Sequence, residues 1–149
     1  MRRTSLKTAN CPVARSLDVI GDWWSLLIVR DAFRGLRRFS QFQKSLGLAR
    51  NILTVRLRAL VADGILATAP PADGSAYQEY VLTPKGRDLL PVLAALRQWG
   101  MKCFPEGEPW STELVDLDTG RTVQGVTLQG DDGLPVNPDS IEVRQVPSV

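Results

Sequence analysis

Polar side chains recur at helical spacing in residues 50–58, opposite an apolar stripe of Leu53, Leu57 and Leu60. Successive residues of an α-helix are about 100° apart, so the two sets would occupy opposite faces. In the major groove of DNA, asparagine suits adenine, arginine suits guanine, and threonine or valine contacts the thymine methyl group. The spacing therefore predicts a helix that reads bases, although an amphipathic helix with a solvated polar face has the same pattern. The predicted base-reading residues are Arg50, Asn51, Thr54, Val55 and Arg58.

Basic residues are concentrated in the first part of the chain. Residues 1–64 contain twelve Lys and Arg and four acidic residues, whereas residues 65–149 contain six basic and twelve acidic residues. This imbalance indicates an anionic partner for the first part, and a solvated charged surface is the alternative. Contacts to DNA phosphates position a protein without reading sequence. The predicted phosphate contacts are Arg34, Arg37, Arg38, Ser40, Lys44, Arg56 and Gln78.

The chain has no histidine and only two cysteines, Cys11 and Cys103. This composition excludes Ser-His-Asp and Cys-His catalysis and any zinc site that needs histidine, and we expect neither a cofactor nor a metal. A thiol enzyme built on Cys11 is an alternative that a turnover assay with thiol substrates would test. No acid or lysine that could serve as its base is visible near Cys11, so we expect that the protein is not an enzyme.

Cys11 precedes Pro12, which suits the first position of a helix. The positive end of the helix dipole, with Arg15 one turn further on, favours the reactive thiolate form of the Cys11 side chain. Cys11 is therefore a candidate redox sensor, and the alternative is a small apolar residue that packs under a neighbouring helix. Cys103 shares the apolar face of the last predicted helix with Leu96 and Trp99, and we expect it to pack there.

The elements that must position these residues are predicted from periodicity and from capping residues. Asp22 caps one helix, and the spacing of Ser40 and Gln43 suggests a capping box at the start of another. A short helix and a longer one, joined at Gly47 and followed by a hairpin, predict a mainly α fold with a β-hairpin wing, a winged helix-turn-helix. The predicted helices cover residues 12–20, 23–34, 40–46, 49–63 and 84–104, the last kinked at Pro91, and the strands cover 65–69 and 77–82.

Composition divides the chain into three segments. Residues 1–10 form a basic N-terminal arm, residues 11–104 the winged domain, and residues 105–149 a small acidic β appendage with a hairpin over 113–128 and a strand over 141–146. A protein-interaction module that binds a partner through this appendage is a further alternative. No run of eighteen apolar residues occurs, so we expect a cytoplasmic protein with no membrane contact.

Several motifs, in this order, resemble the HxlR family of bacterial winged-helix regulators, which is related in fold to MarR proteins. They are CPVAR (residues 11–15), DVIGDWW (18–24), RFSQF (38–42), NILTVRLR (51–58), DGIL (63–66) and EYVLTPKG (79–86). The resemblance implies a homodimer on double-stranded DNA with a palindromic operator, and regulation of neighbouring genes.

The resemblance also places the dimer interface on the first and last helices. The apolar space between these helices is either solid core or a site for a small apolar or electrophilic effector. Several members of the family sense oxidants or electrophiles through a cysteine near the N-terminus, at the place of Cys11. The interface residues implied are Val13, Leu17, Trp23, Leu93, Leu96 and Trp99.

Overall fold

The computed structural model describes residues 4–105, 107 and 109–147. These residues divide into two compact units, one ending at Leu93 and the other beginning at Ala94. Among them, no helix is both long enough and apolar enough to cross a membrane.

The first unit contains a helix-turn-helix followed by a two-stranded wing. Its elements are α1 (Pro12–Ile20), α2 (Trp23–Phe33), α3 (Phe39–Leu46), α4 (Arg50–Ala62), β1 (Leu66–Ala69), β2 (Glu79–Leu82), α5 (Pro84–Arg87) and the start of α6 (Leu90–Cys103). β1 and β2 are antiparallel, with Leu66 opposite Leu82 and Ala69 opposite Glu79. The predicted winged helix-turn-helix is therefore confirmed.

Local sequence explains most helix boundaries. The Asp22 side chain accepts hydrogen bonds from the backbone N–H groups of Trp24 and Ser25, as predicted for a cap. Thr83 caps α5 by accepting from the Gly86 N–H at 3.0 Å. These bonds satisfy donors that the first turn of a helix otherwise leaves unpaired.

The predicted capping box of α3 is wrong. The helix begins two residues earlier in register, and the Gln41 side chain accepts from the backbone N–H groups of Arg37 and Arg38, both at 2.9 Å. Ser40 is exposed inside the first turn. Gln41 therefore takes the capping role predicted for Gln43, because α3 begins after Arg38 and not after Ser40.

The predicted single last helix is also corrected. It consists of α5 and α6, which are interrupted at Asp88 and Leu89. Proline removes one backbone donor and its ring clashes with the carbonyl group four residues earlier. Pro91 therefore separates two helices rather than kinking one.

The core of the first unit contains residues from α2, α3 and α4 and from the wing. Its fully buried members, Ile28, Val29, Phe42, Leu53 and Leu57, have no exposed surface. A polar residue, Asp31, is equally buried, and its carboxylate contacts the side chains of Arg30 and Arg34 at 2.9 and 3.3 Å. This core fixes α4 relative to α2 and α3.

The predicted basic arm is partly attached to α1. Residues 1–3 of the arm lie outside the described residues. The backbone N–H of Leu6 donates to Asp18 at 2.7 Å, and the Arg15 Nε donates to the Ala9 carbonyl at 2.7 Å. Residues 5–9 are therefore held against the first helix.

The second unit contains little regular structure after α6. Isolated bridges pair Val115 with Thr122 and Gln129 with Pro135, and a 3-10 turn covers Pro138–Ser140. The predicted hairpin over 113–128 is reduced to one bridge around a turn, and residues 141–146 form no strand. Within this unit, Gln98 of α6 accepts from the Val126 N–H at 2.6 Å.

Candidate nucleic-acid interface

A tight turn joins α3 to α4. Gly47 ends α3 with φ of 63°, in the left-handed region that favours glycine, and its N–H donates to Gln43 O at 2.9 Å. The Gln43 side chain donates to the Leu48 carbonyl at 3.3 Å, and Leu48 is buried. Ala49 then precedes α4 without a side-chain cap, as predicted. The turn is held by its backbone and by Leu48, so it positions α4 firmly.

The two faces of α4 agree with the helical wheel. Leu53, Leu57 and Leu60 are buried, whereas Asn51, Val55 and Arg58 are exposed. Thr54 is half-buried, and its hydroxyl donates to the Arg50 carbonyl at 2.8 Å within the same helix. Its methyl group is therefore the part best suited to contact a base. Arg58 makes no ion pair with any described residue, so its guanidinium group remains available.

Arg50 stands at the first position of α4, and its guanidinium carbon lies 5.1 Å from the centre of the Phe39 ring. Such a cation–π contact stabilises the side chain in one orientation. Phe39 is the first residue of α3. The contact therefore links the starts of the two helices and preorganises Arg50 near the N-terminus of α4.

The wing is attached to the segment before α3 by one backbone hydrogen bond, from the Tyr80 N–H to the Arg37 carbonyl, at 2.7 Å. At its other end, the Thr83 hydroxyl donates to the carbonyl groups of Gly64 and Ile65. The wing is thereby fixed both to the start of α3 and to the end of α4.

All four arginines predicted to contact phosphate have an acidic partner in the structure. Two of these pairs involve buried acids: Arg34 lies 3.3 Å from Asp31, and Arg37 Nε lies 2.8 Å from Glu79 Oε2. The Arg37 N–H is not directed at that oxygen, so the contact is an ion pair without a hydrogen bond.

The other two arginines are paired differently. Arg56 lies 3.5 Å from Asp22, the cap of α2, so it is directed toward the protein. Arg38 binds Asp73 of the wing turn, and its Nε lies 3.9 Å from Glu79. The Arg38 hydrogen bond, aided by the Ser75 N–H, lowers the pKa of the Asp73 carboxyl to about 2. All four arginines predicted to bind phosphate are therefore paired with nearby acids. These ion pairs could not be predicted from the sequence.

The other predicted phosphate contacts, Ser40, Lys44 and Gln78, are exposed and make no ion pair with the described residues. Sequence reasoning missed three wing residues: Asp73, Glu79 and Tyr77. Tyr77 is 74% exposed beside β2, and Glu79 is 5% exposed. No local pattern indicates the two acids, because their partners are separated from them by 35 or more residues.

The predicted dimer residues lie on both units. Val13, Leu17 and Trp23 of the first unit are exposed, Trp23 by 82%, and Leu93 is half-buried against the core. Leu96 and Trp99 of the second unit are exposed, and the Trp99 ring contacts that of Phe104 edge to face at 5.4 Å.

Both cysteines are exposed. Cys11 immediately precedes α1 and makes no capping hydrogen bond through its side chain. The prediction that Cys103 packs in an apolar face is wrong, because α6 leaves its side chain in solvent. Either thiol is therefore accessible to an oxidant.

A cavity of about 630 Å³, largely open to solvent, lies at the surface of the first unit. Its apolar walls come from Trp23 and Trp24 of α2, Leu17 of α1 and Leu6, and Asp22 and Arg56 supply the polar groups. The predicted effector space was assigned to the first and last helices. The cavity instead borders α4, the helix with the exposed polar face.

An exposed polar helix face on a tight helix-turn-helix, followed by an antiparallel wing, defines the winged helix-turn-helix class of DNA-binding folds. A family model described as HxlR-like helix-turn-helix matches residues 19–108. The chain belongs to this family, as its motifs predicted.

Three known proteins illustrate the similarity. PA1607, described as a candidate transcription factor, has a crystal structure that matches 96% of this chain and 100% of its own, with a TM-score of 0.84 and 52% identity. Mb3122 of Mycobacterium bovis, an uncharacterised HTH-type transcriptional regulator, is 43% identical over 99 residues. That match covers 65% of this chain and 63% of the relative, so it spans less than two thirds of the relative's length. The redox regulator HypR in its oxidised form matches 66% of this chain and 100% of its own, with a TM-score of 0.57 and 32% identity.

Proposed function

We propose that this protein is a transcriptional regulator that binds a specific sequence of double-stranded DNA. The observation that carries the proposal is the exposed face of α4, with Asn51, Val55 and Arg58 opposite a fully buried leucine stripe. A helix fixed in this way can enter the major groove as a rigid element. Family membership and the similarity to HTH-type regulators support the same function.

The proposed division of roles follows the geometry. Asn51 and Arg58 read base edges by hydrogen bonding, Val55 and the Thr54 methyl group contact thymine, and Arg50 acts at the start of the helix. Ser40, Lys44 and Gln78 contact phosphates, and we add Tyr77 because of its exposure on the wing. The other predicted phosphate contacts are four arginines that each have an acidic partner, and each can contact a phosphate only after it leaves that partner. They are Arg34, Arg37, Arg38 and Arg56.

We further propose a homodimer on a palindromic operator. Exposed apolar side chains on α1, at the start of α2 and on α6 support it, since Trp23 and Trp99 are large residues to leave in water. A dimer would place two α4 helices in successive major grooves, about 34–36 Å apart. Trp23→Ser would shift the protein toward monomer in analytical ultracentrifugation, whereas Trp110→Ser in the appendage would not.

Footprinting on the region upstream of the gene tests sequence-specific binding. Affinity should fall steeply with salt, because phosphate contacts release counterions. A flat salt response, or equal affinity for all sequences, would contradict the proposal.

Asn51→Ala tests base reading by α4. It should weaken binding to the specific site roughly 5- to 150-fold, equivalent to about 1–3 kcal/mol, and leave binding to random DNA unchanged. Asn10→Ala removes an exposed asparagine outside the helix-turn-helix and is the matched control. An equal loss on specific and random DNA would show that Asn51 does not read a base.

We also propose that oxidants or electrophiles weaken operator binding through Cys11. Its exposure supports access, and the similarity to HypR in its oxidised form supports a redox response. Cys11→Ser should abolish the response to peroxide and to p-benzoquinone in a gel shift, and Cys103→Ser should retain it. If Cys103→Ser abolishes the response instead, the sensor is on α6.

A small apolar effector would fit the cavity beside α4. The volume of this cavity and its apolar walls with a few polar groups are those of many ligand sites, but it is open to solvent and leaves Trp23 82% exposed, so an effector would bind at the surface. The neutral probe 1-naphthol should quench tryptophan fluorescence in the wild type and much less in Trp23→Ala. Equal quenching in Trp23→Ala and in a Trp110→Ala control would contradict this site.

A further inference from the structure

The turn of the wing, residues 70–78, contains one charged residue, Asp73, and no Lys or Arg. Hydrogen bonding within the turn holds this carboxylate in one orientation. The Ser75 N–H donates to Asp73 Oδ1 at 3.0 Å, and Gly74 adopts a φ of 71°. The other carboxylate oxygen, Oδ2, accepts from the Arg38 guanidinium group. The wing therefore presents an acid to the start of α3.

Arg38 occupies a place where a phosphate would be expected to bind. It immediately precedes α3, so the backbone N–H groups of the first helical turn follow it directly in the chain. Helix N-termini attract phosphate groups, and guanidinium binds carboxylate and phosphate with the same donor geometry. Asp73 therefore offers Arg38 the same kind of ligand as DNA does.

Asp73 is more exposed than the other acids that pair with the arginines predicted to bind phosphate. The side chains of Asp31, Glu79 and Asp22 are 0%, 6% and 16% exposed, whereas that of Asp73 is 54% exposed. The buried acids belong to the packed structure of the first unit. Asp73 faces solvent and can separate from Arg38 without exposing any core residue.

We propose that Asp73 is an internal competitor that occupies Arg38 until a DNA phosphate replaces it. This inference rests on the proposed DNA-binding function and assigns to Asp73 the role of setting affinity. Phosphate contacts do not distinguish sequences. The competition therefore lowers affinity for all DNA to a similar extent and leaves the ratio between specific and random sites unchanged.

Asp73→Asn tests the competition with little change of shape, since the carboxamide oxygen can still accept from the Ser75 N–H. We expect the slope of log K against log salt concentration to stay the same, because the phosphate replaces Asp73 in the wild-type complex as well and the number of phosphate contacts does not change. Binding to random duplex DNA should become roughly 1.5- to 5-fold tighter, because an exposed ion pair no longer has to break. The ratio of specific to random affinity should not change.

Asp88→Asn is the matched control. Asp88 is exposed in the same unit, at the end of α5, and makes no ion pair with any described residue. The substitution makes the same change in net charge, so any effect of overall charge is common to both variants. In an Arg38→Gln background, the gain from Asp73→Asn should disappear, because the residue that is released is then absent.

Three results would overturn the inference. Asp73→Asn could match Asp88→Asn in affinity, it could weaken binding because the wing needs the pair, or its gain could persist without Arg38. If the wild-type protein binds no DNA at any salt concentration, the proposed function itself fails. Binding by the wild type with no difference between the two variants refutes only the role of Asp73.

Discussion

Gly86 is the residue at which the smallest change should have the largest effect on the wing. It lies in α5 and is buried. An added methyl group would overlap the Ile65 carbonyl oxygen, and it would lie 3.1 Å from both the Ile65 carbonyl carbon and the Leu82 Cδ2. The obstacle is backbone, which cannot move aside as a flexible side chain can. Gly86→Ala should therefore separate α5 from the segment that joins α4 to β1.

The size of the effect follows from these contacts. Overpacking a filled site costs about 1–3 kcal/mol. The Ile65 carbonyl also accepts from the Thr83 N–H at 3.1 Å, and weakening this bond adds about 1 kcal/mol. The expected loss in the free energy of unfolding is about 2–4 kcal/mol, which lowers the urea midpoint by about 1–2 M for a slope near 2 kcal/mol/M.

Urea unfolding followed by circular dichroism measures this loss, and Gly100→Ala is the control. Gly100 lies inside α6 with no atom within 4 Å of an added methyl group. Alanine there should stabilise the helix by up to about 1 kcal/mol. If Gly86→Ala is as stable as the wild type, α5 is not closely packed against Ile65, and this junction does not fix the wing.

Three further predictions concern the wing, the core and the pH response. Glu79→Gln should lower the free energy of unfolding by about 1–2 kcal/mol in a urea titration. The substitution places an amide N–H₂ group beside arginine donors, which leaves buried donors unpaired and accounts for the loss. The loss stays small because the half-exposed arginines can bind water instead. An effect no larger than that of Asp73→Asn would show that burial of Glu79 is unimportant. Leu57→Ala should cost about 2–5 kcal/mol by the same measurement, because Leu57 has no exposed surface, whereas Ala59→Ser on the exposed side should have little effect. DNA affinity should change little between about pH 5.5 and 7.5, since the chain has no histidine and the lowered pKa of Asp73 keeps its carboxylate ionised until the pH falls toward about 2. A tenfold change over that range, measured by fluorescence anisotropy, would require another titrating group.

Local sequence was sufficient to predict the helix-turn-helix. The leucine spacing in α4 fixes which face is buried, and the glycine at position 47 fixes the turn before it. The errors occurred where a local signal had two solutions: Gln41 and Gln43 can both serve as the third residue of a helix. Likewise, a proline such as Pro91 can kink a helix or interrupt it, and in the structure the helix is interrupted before Pro91.

What the sequence by itself determined is the family, the order of elements and the exposed face of α4, because these depend on spacing within about ten residues. Only the tertiary structure decided the state of the basic side chains. Arg37 and Arg38 meet Glu79 and Asp73 because the wing folds back onto the start of α3, as the hydrogen bond between Tyr80 and Arg37 records. Ion pairing between distant residues depends on where two backbones cross, and no periodicity in either segment encodes that crossing.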